Sequence, residues 1–253
     1  MTVAPEPKTN ELIVRLNALS ADPRIIDPAG SDARAQEWRN VLDALEPLYK
    51  VDAREAWAVY GGLHSAAGDR DQMERGFKNS VKLGWQWHVA HNWMNNRVRL
   101  GMLSAAQELY VDCGLPTAGH FTEMLGFGYQ AGCIQIAAEF SRKANAMHIP
   151  MDERAYAELS AAADLLKGVG VTDEDVGKHL DIAGEICLKH GFATRVHVHI
   201  THSESFFSGV TFAVAVPVSP QEAFDMNIEL AEAEEAAGIP KHVECDVVFK
   251  AAA

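Results

Sequence analysis

The chain has 253 residues, 48% apolar and 23% charged, an ordinary globular composition that excludes collagen-like, disulfide-dense and wholly disordered classes. Its 22 Lys and Arg stand against 35 Asp and Glu, and a net charge of −13 without any basic cluster argues against DNA and membrane surfaces as partners. No apolar run reaches the roughly 18 residues of a membrane span, the N-terminus lacks a secretory leader, and Cys113, Cys133, Cys187 and Cys245 show no C-x-x-C spacing, so a cytoplasmic protein with reduced packing thiols is expected.

Residues 1–8 carry two prolines and no periodicity, which predicts a flexible tail. Leu12, Ile13, Leu16 and Leu19 then recur at helical spacing, and the stretch holding Pro23, Pro28 and Gly30 ends that helix. Ser31 or Asp32 can cap the next helix, whose buried stripe is Trp38, Val41, Leu42, Leu45 and Leu48. From residue 53 to 191 apolar positions repeat with a period near 3.6, interrupted by Gly, Asp or Pro, which predicts successive helical hairpins.

Gly68, Gly101, Gly132 and Gly168 each fall in a break between helix-sized segments, a spacing that suits one helix pair per repeat. The clearest unit reads Trp57-x-x-Tyr60-Gly61, then Gly68-Asp69, Met73, Phe77, Ser80 and Leu83. These residues resemble a tetratricopeptide repeat: a bulky residue early in the first helix, a small one where the second helix approaches, a tight turn, then small and aromatic residues at four-residue steps. Weaker matches follow at Ala90, Trp93, Gly101, Ala106 and Tyr110; at Phe121, Leu125, Gly132, Ala137 and Ala144; and at Ala157, Ala161 and Gly168. The resemblance covers about 140 residues. It implies a right-handed superhelix of helical hairpins over residues 9–190.

After Gly191 the period becomes two. Arg195–Thr201 and Gly209–Val216 alternate and are rich in β-branched residues, Ser219 and Glu222 form a capping box ahead of a helix ended by Gly238 and Pro240, and His242–Phe249 reads as a third strand. Residues 191–253 thus read as a β-β-α-β domain, for which no family resemblance is recognised, and the whole chain is expected to be α+β, mainly α.

The resemblance implies a concave groove that binds a protein or peptide. Its lining would include Ala58, Gly62 and Ser65, then His88, His91, Asn92 and Asn95, then Glu123 and Tyr129, with Trp87 and Trp93 as aromatic anchors. This gives a non-catalytic adaptor or regulator, chaperone-like or of the immunity type, with a partner that the acidic charge would favour if basic. Open sheet edges predict a homodimer.

A second reading is a metal- or His-dependent enzyme. His197 and His199 share one side of a strand, and His242 and Glu244 fall on the polar side of the last strand opposite Val243, Cys245 and Val247, so His197, His199, His242 and Glu244 could serve a metal or move protons. RNA binding is suggested only by pentatricopeptide-like spacing, and the charge opposes it. Gly126-Phe-Gly128 and Gly132 lack the strand before and the Lys-Ser/Thr after a phosphate loop, so no cofactor and no catalytic residue is assigned.

Overall fold

The computed structural model describes residues 8–114, 120–150, 152–203 and 207–252, and the expected tail lies almost wholly outside them. Among the described residues there are eleven helices and a small mixed sheet near the C-terminus. Contacts divide the chain into two compact units, residues 1–100 with 191–193 and residues 101–190 with 194–253. The sheet groups with the later helices.

In the first unit α1 (Lys8–Ala21), α2 (Ala33–Val51), α3 (Ala53–Ala66), α4 (Arg70–Lys82) and α5 (Trp87–Arg99) each pack on the next, and α1, α3 and α5 also pack on one another in turn. Three helices start on an aspartate whose carboxylate accepts from a backbone N–H three residues on: Asp32 from Ala35, Asp52 from Glu55 and Asp69 from Gln72, at 2.8 to 3.1 Å. Leu12, Leu19, Trp38, Leu45, Val59 and Leu63 form the core, and the Trp38 indole donates to the Leu63 carbonyl at 2.8 Å. Residues 191–193 join this unit through backbone bonds from Ile25 to Gly191 and from Ala193 to Pro23.

Helices α3 and α4 pack on each other as one helical hairpin. Gly68 makes the turn at φ +76°, and Met73, Phe77 and Ser80 are buried. Gly61 and Gly76 face each other so tightly that a Cβ on Gly76 would lie 2.6 Å from the Gly61 backbone and 2.9 Å from the Trp57 carbonyl oxygen. Two positions depart from the expected pattern. Leu83 is 55% exposed because it forms the C-cap of α4 and not another turn of its buried face. Trp57 is only half-buried, set edge-on to Tyr49 and Tyr60 with the Arg75 guanidinium over its ring.

The second unit contains α6 (Leu103–Cys113), α7 (Phe121–Gln130), α8 (Ile134–Ala146), α9 (Glu153–Gly168) and α10 (Asp173–Lys189), followed by β1 (Val196–Ser203), β2 (Phe207–Val216), α11 (Pro220–Ala236) and β3 (Cys245–Ala251). Helices α7, α8 and α9 pack in sequence, but α6 packs on α10. Neither α6 nor α8 has a side-chain cap of its own, and α10 supplies both. Asp181 accepts from the N–H groups of Leu103 and Ser104, and the buried Asp173 from those of Gln135 and Ile136. Burial pushes the Asp173 carboxyl up against the pull of those backbone bonds. The turn before α10 is made by Gly170, at φ +77°, and Gly168 closes α9. Ala157 and Ala161 are exposed, because the buried stripe of α9 runs through Leu159, Ala162, Ala163 and Leu166.

The sheet order is β1-β2-β3, with β1 antiparallel and β3 parallel to β2, so α11 is the crossover. Its apolar side stacks Val196, Val214 and Phe249, then Val198, Phe212 and Val247, then Ile200, Val210 and Cys245. At the free edge of β3 the Asn227 amide accepts from the Phe249 N–H at 2.7 Å and donates to its carbonyl at 3.0 Å, which blunts that edge.

Candidate functional site

Four of the expected groove residues, His88, His91, Asn92 and Asn95, occupy i, i+3, i+4 and i+7 of α5 and so share one stripe. His88 is exposed and its Nε2 lies 2.8 Å from Glu55 of α3, tying the two helices together along that stripe. The His91 ring stacks on Trp87, and Asn95 Nδ2 reaches His91 Nε2 at 3.3 Å; Asn92 is exposed. On α3, by contrast, Ala58, Gly62 and Ser65 are buried, and Gly62 lies against Leu16 of α1. That stretch offers no open lining.

Trp93 is a packing residue and not an exposed anchor. It is 8% exposed, stacks on Phe77 and donates to Glu74 at 2.9 Å. Arg97 covers its ring at 4.4 Å and holds Glu74 with bonds of 2.7 and 3.1 Å. Burial raises the Glu74 carboxyl, but the bonds from Arg97, Trp93 and Lys78 outweigh it and leave the group below its ordinary range. An exposed aromatic of this unit is Trp85, 52% exposed beside Leu83 in the α4–α5 connection. The remaining two expected residues belong to the second unit, on α7. Glu123 is exposed and 3.6 Å from His120, and Tyr129 is half-buried with its phenol pushed up to about 12 by burial.

On the sheet, the side opposite the apolar stacks carries the cross-strand rows His197–Ala213–Val248 and His199–Thr211–Asp246. His197 and His199 are exposed, and Ala213, opposite His197 on β2, is buried. His242 and Glu244 precede β3 and do not continue the row. Glu244 contributes its carbonyl to the Val210 N–H, and Val243, expected on the apolar side, is 77% exposed. Among the described residues no three His, Cys, Asp or Glu side chains come together as a metal site.

A different cluster lies in the second unit, where a cleft of about 490 Å³ runs along β3, walled by His179 of α10, Leu230 and Glu234 of α11, and His242, Asp246 and Val247. His179 Nδ1 meets Glu234 Oε1 at 2.6 Å, with side chains 7% and 10% exposed. Burial pushes the Asp246 carboxyl up, the Glu234 charge adds to this, and His179 and Lys241 oppose it. Burial also drives the neighbouring Cys245 thiol up to about 12, which disfavours its thiolate form near neutral pH. The reading from sequence passed over this pair. The available signal was register: Glu234 continues the buried positions Ala223, Met226 and Leu230, and His179 falls between Val176, Leu180 and Ala183.

Charge is unevenly placed. Residues 1–100 hold 13 acidic and 13 basic side chains, so the net −13 falls on residues 101–253. No described helix is long and apolar enough to cross a membrane. Comparison with protein-family models, curated proteins and solved structures gives no match.

Proposed function

We propose that the chain is a non-catalytic protein- or peptide-binding adaptor, and that its binding surface is the polar stripe of α5. The observation that carries this is the placement of His88, His91, Asn92 and Asn95 on one face of a helix whose neighbour α3 reaches the same stripe through Glu55. The sequential packing of α1 to α5, with α1, α3 and α5 side by side, supports a short tetratricopeptide-like superhelix in the first unit. Imidazoles and amides in one row can pair with the backbone of an extended segment or a polar helix face, and Trp85 with Leu83 adds an apolar contact at one end. With 13 charges of each sign over residues 1–100, recognition at α5 works through hydrogen bonds and aromatic contact more than through net charge.

The test is a peptide selected from a random displayed library on the full chain. Its affinity is then measured against the wild type and His88→Ala with Asn92→Ala. The double variant should weaken binding by about 1–3 kcal/mol at an unchanged Tm. Equal affinity in the two proteins would remove α5 as the surface.

A further inference from the structure

The cleft beside β3 lies wholly in the second unit and takes no part in the α5 surface. Two of its wall side chains, His179 and Glu234, are nine-tenths covered and bonded to each other. A Glu234 carboxylate only accepts, which places a hydrogen on His179 Nδ1. Among the described residues neither His179 Nε2 nor Glu234 Oε2 has a partner, yet neither is sealed from solvent. Asp246 adds a second carboxylate to the same wall, and it too is in no ion pair among the described residues.

Donors are scarce by comparison. The Asn227 amide is fully committed, donating to the Ala223 and Phe249 carbonyls and accepting from Phe249. Lys241 is the one wall side chain of fixed positive charge, against two carboxylates, in the part of the chain that carries all of the net charge. Val210, Leu230 and Val247 supply apolar wall. A ligand that satisfies such a site brings several N–H donors and a positive charge on a short aliphatic stem.

We propose that this cleft binds a primary alkylammonium group, whose N–H donors are taken by the carboxylates of Glu234 and Asp246 beside the His179 ring while its stem lies against Leu230 and Val247. The group can belong to a free amine or to a lysine side chain, which present the same chemistry.

Isothermal titration of the full chain with n-butylamine, n-butanol and n-butyrate tests this, at about 0.15 M salt, where charges more than roughly 8 Å apart are screened. Butylamine should saturate at one per chain and bind at least about tenfold more tightly than butanol or butyrate. Asp246→Asn, which keeps the size of the side chain and removes its charge, should weaken it by about tenfold at an unchanged Tm. His88→Ala with Asn92→Ala should leave it unchanged. An Nα-acetyl-lysine methylamide that binds as tightly as butylamine would identify the lysine side chain as the source, and one that does not bind would identify the free amine. Absence of saturable binding by butylamine, equal binding of butanol, or an Asp246→Asn variant that binds like the wild type would each overturn the assignment.

Discussion

Replacing Gly76 by alanine probes the α3–α4 seam directly. Alanine is the better helix former by about 0.8–1 kcal/mol, so with no obstruction the change would stabilise α4. The added methyl would, however, sit 2.6 Å from the Cα and N of Gly61 and 2.9 Å from the Trp57 carbonyl oxygen, all backbone atoms that cannot rotate away. Overpacking of this kind costs about 1–3 kcal/mol, and a purely backbone obstruction belongs at the upper end, so the net loss should be about 2 kcal/mol. Gly126→Ala is the matched control: it lies inside α7, is exposed, and a Cβ there meets nothing within 4 Å. That change should gain about 0.5–1 kcal/mol. Urea denaturation followed by circular dichroism reads both, and Tm should fall by roughly 4–8 °C in the first and rise by roughly 2 °C in the second. Two variants that move together would refute the close approach of α3 and α4, and with it the helix-pair reading of the first unit.

Asp181→Ala leaves the Leu103 and Ser104 N–H groups at the start of α6 without their shared acceptor and should cost about 1–2 kcal/mol, with the loss of amide exchange protection concentrated in α6. Glu74 should govern part of the acid response. Its folded carboxyl lies below the ordinary 4.5, so its contribution is present above that value and is lost as pH falls through the lower folded value. The Tm gap between wild type and Glu74→Gln should therefore be largest above about pH 5 and close on acidification, and a gap that widened in acid would contradict the assigned ion pair. Trp57→Ala should cost about 2–3 kcal/mol, below the roughly 3–5 of a fully enclosed aromatic, because one side of the ring is open and its neighbours are two tyrosines and an arginine; a larger loss would place Trp57 in the core.

What the sequence made legible was local. Asp32 and the Ser219–Glu222 box read as caps and act as caps, and the Gly61 and Phe77 spacing pointed to a tight helix pair because packing there depends on residues within one hairpin. The change of period at Gly191 marked the strands but said nothing of which helices would pack against them. Long-range pairings stayed hidden: the caps of α6 and α8 come from 77 to 78 and 37 to 38 residues away, and their only local trace is Met102 and Cys133 standing where a capping side chain was due. The candidate sites show the same division. The α5 stripe follows from helical spacing alone, whereas the His179–Glu234 pair needs two helices 55 residues apart to be brought face to face.

The central claim is that α5 is where a partner is met, and site-specific photocrosslinking tests it most directly. A photoreactive residue in place of Asn92 should capture the selected peptide, while the same group in place of Lys50, exposed near the end of α2, should not. Capture at position 50 without capture at 92, or equal capture at both, would contradict the account.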